Sequence, residues 1–149
     1  MLRLLMKRFI VSGYFNPLHS GHLDMIEAAE RLGEYVIVIV NNDKQQLMKK
    51  GKIIMDEAMR FRVVSALKAP DEVILSIDET KSVAQTLRMI RRNYPGDELV
   101  FGNGGDRVSD DAIPEDERLA CEECAIERVY GIAQLVDSSS RINKALGRQ

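Results

Sequence analysis

The sequence predicts an α/β domain built on a five-stranded parallel sheet with helices on both faces. Three observations carry this. Short β-branched runs alternate with amphipathic segments along the whole 149 residues, the order that gives parallel strands joined by right-handed crossovers. The run Tyr35-Val36-Ile37-Val38-Ile39-Val40 is apolar without alternation, as in a strand covered on both faces. The run Phe9-Ile10-Val11 leads through a turn rich in Gly, Asn and Pro into an amphipathic segment, which is the first half of a βαβ unit.

The elements follow in order. Lys7 to Gly13 reads as the first strand. Gly21 to Leu32 reads as a helix with Leu23, Ile26, Ala28 and Ala29 facing inward and Gly33 as its C-cap. Tyr35 to Val40 is the second strand. Asn41 to Lys52 is polar and basic and reads as a loop. Asp56 is an N-cap for a helix from Glu57 to Lys68, which Pro70 stops. Glu72 to Ile77 is the third strand, and Ser82 to Arg92 a helix ended by Asn93 and Pro95. Glu98 to Phe101 is the fourth strand, with a Gly-rich turn from Gly102 to Arg107. Val108 to Glu115 is loop, Glu117 to Cys124 a short helix, and Ile126 to Tyr130 the fifth strand. Ser138-Ser139-Ser140 caps a last helix from Arg141 to Leu146.

The length fits one domain, residues 1–149, with a sizeable core. Hydrophobic residues are 45% and charged residues 30%, and the formal net charge is −2. That balance is ordinary for a soluble globular chain, and it argues against nucleic acid as a partner. No stretch of about 18 apolar residues predicts a membrane span. Met1 to Met6 is too short for a signal-peptide core. Cys121 and Cys124, the two cysteines, give no disulfide framework. One Cys-x-x-Cys inside a helix, with no second pair, is a poor zinc site, and two half-buried helix cysteines are expected instead. A cytoplasmic protein is expected.

The residues that carry chemistry begin at His19-Ser20-Gly21-His22. They open the first helix, where free N–H groups and the positive dipole end favour phosphate. Two imidazoles three residues apart share one side of the first turn and can donate hydrogen bonds to a phosphate there. They are the chain's two histidines; the blander reading, two rings that merely satisfy a loop, does not explain their placement together. The segment Gly13-Tyr14-Phe15-Asn16-Pro17-Leu18-His19-Ser20-Gly21-His22-Leu23 resembles the signature of the cytidylyltransferase-like nucleotidyltransferases, close to the small cytidylyl- and heptose-phosphate adenylyltransferases. The resemblance extends from about Arg8 to Leu146.

The resemblance implies a Rossmann-like fold and transfer of a CMP or AMP group from CTP or ATP to a small phosphorylated acceptor, an alcohol phosphate or sugar 1-phosphate, with release of pyrophosphate. It implies His19 and His22 as catalytic donors, with Gly13, Tyr14, Phe15, Asn16 and Gly21 around the nucleotide. Ser138-Ser139-Ser140-Arg141 can form an anion nest at a helix start, and it resembles the family's Ser/Thr-rich grip on the β- and γ-phosphates. Asp137 before it departs from the family pattern. A plain Ser N-cap is the alternative reading. In the basic stretch Lys44, Lys49, Lys50 and Lys52, with Arg60 beyond, the resemblance implies Lys49 or Lys50 and Arg60 at the acceptor's phosphate, with Lys49 and Arg60 counted as catalytic. Solvated lysines are the alternative, and Arg62 is an alternative to Arg60 because Phe61 is expected to face inward. The turn Gly102 to Arg107 follows a strand and so lines the ligand cleft; in the family its Asp and Arg, here Asp106 and Arg107, lie by the nucleotide, while a tight turn alone would also use the glycines.

No carboxylate cage is evident, so Mg²⁺ is expected with the nucleotide rather than at a resident protein site. A homodimer is expected. Other readings are an adenylyltransferase of the phosphopantetheine or nicotinamide-mononucleotide type, and, from another class, a non-catalytic nucleotide-binding module. A class I tRNA synthetase shares the HxGH logic, but the chain has no room for an anticodon-binding domain. CTP against ATP, and the identity of the acceptor, stay open.

Overall fold

In a computed structural model that describes residues 5–104 and 113–132, the chain folds as a parallel five-stranded sheet. The strands are β1 (Lys7–Gly13), β2 (Tyr35–Val40), β3 (Glu72–Leu75), β4 (Glu98–Asn103) and β5 (Glu127–Tyr130), in the spatial order β3-β2-β1-β4-β5. The order reverses between β1 and β4, and an open α/β sheet binds ligands at the carboxyl ends of its strands where that happens. The helices are α1 (Ser20–Leu32), α2 (Asp43–Lys50), α3 (Glu57–Ser65), α4 (Ala84–Asn93) and α5 (Glu115–Glu123).

Side chains alternate across the buried strands, so the sheet feeds two cores. On one face Phe9, Val11, Val36, Val38 and Val40 meet Ile26, Ala28 and Ala29 of α1 and Val64 of α3. On the other, Ile10, Ile37, Ile39, Leu99 and Phe101 meet Leu87 and Ile90 of α4 and Cys121 of α5. A continuous apolar run such as β2 requires this cover on both faces.

Several sequence expectations need correction. Asn41 to Lys52 is not a loop: α2 occupies most of it. Asn42 Oδ1 accepts from the Gln45 backbone N–H, Gln45 Oε1 accepts from that of Asn42, and Gly51 ends the helix at φ +73°. The helix escapes the apolar-periodicity test because its buried positions are Gln45 and Gln46, while Leu47 is 50% exposed. Gly102 does not begin a turn. Gly102 and Asn103 extend β4 and pair with Val129 and Tyr130. A Cβ on Gly102 would lie 2.3 Å from the Phe9 ring, so the glycine serves strand packing. Helix α3 ends at Ser65 rather than Lys68, and β3 stops at Leu75. Leu23 is only half-buried. Cys121 is buried, which pushes its thiol up to about 12, and Cys124 is half-buried. The last expected helix lies outside the described residues.

Candidate active site

The site is built on the turn between β1 and α1. His19 is the N-cap of α1, and its Nδ1 accepts from the Gly21 backbone N–H at 3.1 Å. His22 closes the reciprocal bond, its Nδ1 accepting from the His19 N–H at 3.1 Å. This is a capping box with imidazoles in place of the usual hydroxyl and carboxamide. It fixes the chemistry of both rings: a neutral imidazole that accepts at Nδ1 carries its proton on Nε2. Each ring therefore offers an Nε2–H donor. The rings stack with centroids 3.8 Å apart. Burial first, then His19 and then Lys49, lowers the pKa of His22 from 6.5 to about 4, so His22 is a neutral donor at physiological pH. A Cβ on Gly21 would lie 3.0 Å from the His19 ring.

Phe15 is the floor of the turn. It is 1% exposed and meets His22 edge-on, at 4.9 Å between centroids. Its φ is +53°, an uncommon region for a large side chain. A Cβ on Gly13 would lie 2.8 Å from the Phe15 ring. The Asn16–Pro17 peptide bond is cis, and Asn16 Oδ1 accepts from the backbone N–H groups of Ile54 and Met55, tying the turn to the segment after α2.

Arg60 departs most from expectation. It is 0% exposed, and Phe61, expected inward, is half-buried. Arg60 Nε donates to the Met55 carbonyl at 2.8 Å, Nη1 to the Tyr14 and Asn41 carbonyls at 2.8 and 2.6 Å, and Nη2 to Asp43 Oδ1 at 2.8 Å. A guanidinium spread over three carbonyls and a carboxylate has its charge committed inside the protein, so Arg60 does not present itself to an acceptor phosphate. Arg62 is exposed.

Two cavities, each of about 390 Å³, flank the histidines. The first is lined by Tyr14, Asn16, His19, His22, Gln46 and the lysines 49, 50 and 52. The second is lined by Ser12, Gly13, Tyr14, His22, Lys49, Lys81, Gly102, Asn103, Gly104 and Glu117. They share Tyr14, His22 and Lys49, and the Lys49 Nζ sits 4.3 Å from the Tyr14 ring centroid, a cation–π contact. The structure thus brings Gly13, Tyr14, Phe15, Asn16, His19, Gly21, His22, Lys49, Lys50 and Gly102 to one end of the sheet. Lys44 turns away to an exposed ion pair with Glu79. Asp106, Arg107, Asp137, Ser138, Ser139, Ser140 and Arg141 lie outside the described residues. Among the described residues, no group of three or more His, Cys, Asp or Glu is placed to hold a metal ion.

Lys81, Glu117 and Gln46 are cavity residues that the sequence reading missed. Lys81 belongs to the segment between β3 and α4, which α2 holds from below. Asn42 Nδ2 donates to the Ser76 and Asp78 carbonyls, and Gln45 Nε2 to those of Thr80 and Ser82. Glu117 reaches across from α5 to accept the Val83 N–H. The one legible signal is the Asn42-x-x-Gln45 spacing of a capping box, which marks the start of α2.

Similarity to known proteins bears on the family and the fold. The cytidylyltransferase-like family matches residues 10–142. The FAD synthase of Ferroglobus placidus is 45% identical over 74 residues, 50% of this chain and 48% of its own length. The glycerol-3-phosphate cytidylyltransferase of Bacillus subtilis is 35% identical over 69 residues, 46% of this chain and 54% of its own. The chain thus spans about half the length of these curated relatives. The crystal structure of a lipopolysaccharide core biosynthesis protein from Thermoplasma volcanium superposes with a TM-score of 0.61 at 25% identity, covering 85% of this chain and 94% of that one. No helix among the described residues is long and apolar enough to cross a membrane. With the family's match running through both cavities and the histidine turn between them, this chain belongs to the cytidylyltransferase-like family.

Proposed function

We propose that the chain transfers a nucleotidyl group from CTP or ATP to a small phosphorylated acceptor and releases pyrophosphate. The observation that carries this is the meeting of the two cavities at His22, Tyr14 and Lys49. In this reading the acceptor occupies the first, lysine-rich cavity and the nucleotide the second, at the β1/β4 reversal. An oxygen of the acceptor phosphate attacks the α-phosphorus, and the bond to the leaving pyrophosphate breaks. The nucleophile is already anionic, so the chain need not supply a strong base. It has to align the reactants and stabilise charge on the equatorial oxygens of the α-phosphate. The Nε2–H donors of His19 and His22 suit that task. They are held by the capping box before the substrate arrives, so little reorganisation accompanies the reaction.

Lys49, between the cavities, neutralises the two anions that must approach each other. Lys50 holds the acceptor's phosphate at the outer side. Asp106, Arg107 and Ser138 to Arg141 remain the proposed grip on the ribose and the β- and γ-phosphates. Mg²⁺ belongs to this reading as the companion of the triphosphate, where it neutralises charge. A cytoplasmic homodimer completes the reading, and the mass of the protein in solution tests the assembly. The decisive experiment is a screen of four nucleoside triphosphates against phosphorylated alcohols and sugar 1-phosphates, read by pyrophosphate release. Release that needs both one triphosphate and one phosphorylated acceptor supports the proposal. Tight nucleotide binding with no release under any pairing would leave a nucleotide-binding module instead.

A further inference from the structure

One residue that lines the first cavity carries a buried polar atom that neither the fold nor the chemistry above employs. Gln46 is 2% exposed and lines that cavity beside the lysines 49, 50 and 52. Its Nε2 donates to the Lys52 carbonyl at 3.3 Å. Its Oε1 is shut away from solvent and has no hydrogen-bond partner among the described residues. The neighbouring Gln45 shows what a satisfied amide on this helix looks like. Its Nε2 donates to two carbonyls, and its Oε1 accepts from Asn41 Nδ2 and the Asn42 N–H. A buried acceptor left without a donor is costly, and such atoms are rare in folded proteins. The Gln46 oxygen is therefore a place where a partner is missing.

The chemistry of the missing partner is constrained. Oε1 is an acceptor, because the bond from Nε2 to a carbonyl fixes which end of the amide is which. A phosphate dianion offers only acceptors and cannot satisfy it. We propose that Gln46 reads a hydroxyl of the phosphorylated acceptor, so that the substrate is a polyol or sugar phosphate with a hydroxyl near its phosphate. This rests on the transferase reading and assigns Gln46 as a specificity-determining residue within it. For a hydroxyl to reach Oε1, the exposed turn 51–54, whose Lys52 carbonyl Gln46 holds, has to move aside.

The test compares acceptors that differ by one hydroxyl: glycerol 3-phosphate with 3-hydroxypropyl phosphate and n-propyl phosphate, and glucose 1-phosphate with 2-deoxyglucose 1-phosphate. Pyrophosphate release gives kcat/KM for the wild type, Gln46→Leu and Gln46→Met, with thermal unfolding of each alongside. The wild type should prefer the hydroxylated member of a pair by roughly tenfold or more. Both variants should lose that preference through a fall in kcat/KM for the hydroxylated acceptor alone. Their melting temperatures should be unchanged or higher, since an unanswered buried amide has been replaced by apolar atoms. If Gln46→Leu does not fold, Gln46→Met carries the comparison. Preference retained in the folded variant overturns the assignment of Gln46 and leaves the transferase reading standing, as does a wild type that prefers n-propyl phosphate. Absence of release with every phosphorylated acceptor overturns both.

Discussion

Replacing Arg60 separates two readings of one residue. As an acceptor ligand, Arg60 would affect KM for the acceptor and little else. In the structure it is a buried cation with four short hydrogen bonds, to the carbonyls of Tyr14, Asn41 and Met55 and to Asp43. Arg60→Ala leaves those three carbonyls without their donor, leaves Asp43 without its cation, and opens a cavity in a site with 0% exposure. Removing one partner of a buried ion pair costs roughly 3–5 kcal/mol. Asp43 keeps 28% of its side chain in solvent and can recover some hydration, which points to the lower half of that range. At about 2–4 °C per kcal/mol for a chain of this size, a cost of roughly 3–4 kcal/mol corresponds to a fall in Tm of roughly 6–16 °C.

The functional consequence follows from where the bonds go. Tyr14 is the first residue of the histidine turn, and Met55 is the residue that Asn16 holds. Arg60 thus sets the floor on which His19 and His22 stand. Arg60→Ala should lower kcat and raise KM for nucleotide and acceptor together. Arg60→Lys should remain clearly destabilised, because a point charge on a flexible stem cannot replace a planar fork. Urea unfolding followed by two-substrate kinetics below the new Tm measures both effects. An Arg60→Ala protein that melts with the wild type and raises only the acceptor's KM would refute the reasoning and restore the acceptor role.

Four further outcomes are expected. His19→Ala and His22→Ala should each lower kcat by roughly 10²–10³, the scale of an oxyanion-hole donor, with smaller effects on nucleotide affinity by calorimetry. Lys49→Ala should lower kcat and raise acceptor KM together, because Lys49 lines both cavities, whereas Lys50→Ala, at the first cavity alone, should raise acceptor KM only; steady-state kinetics distinguish the two patterns. Chelation of divalent cations should abolish turnover, and the nucleotide-free protein should bind Mg²⁺ weakly by calorimetry. The pKa of His22 is lower folded, about 4, than its ordinary 6.5, so the unfolded chain takes up the proton first as pH falls; its contribution to stability is complete above 6.5 and is lost between 6.5 and 4. A urea-midpoint profile over that window should be shallower for His22→Gln than for the wild type.

The fold was legible because its strands announce themselves. Runs rich in Val, Ile and Phe recur between helical segments, and Tyr35 to Val40 is apolar throughout, which leaves few alternatives to a parallel sheet with helices between the strands. What the sequence concealed is where polar residues do the work of apolar ones. Helix α2 buries Gln45 and Gln46 and exposes Leu47, and α3 buries Arg60 while Met59 is 52% exposed. A reading based on hydrophobic periodicity must fail at both. Both failures sit beside the cavities, where sequence and packing rules are expected to part company.

The histidine turn was readable from spacing, yet its geometry was not. His19 and His22 each use Nδ1 for a backbone N–H, so the motif that suggests phosphate binding is first a helix cap. The two roles are compatible because an imidazole has two nitrogens: one fixes the helix start, and the cap thereby settles that the other is a donor. A Ser or Asp cap would satisfy the same backbone group but would leave no second donor fixed in this way. Arg60, by contrast, looks like a ligand from its residue type and its place on the helix after the basic stretch. Only burial and four named partners reveal that it supports the turn from beneath. A basic residue can act on a ligand only where it faces the ligand's cavity, and in this chain that condition separates Lys49 and Lys50, which line a cavity, from Arg60, which lines neither.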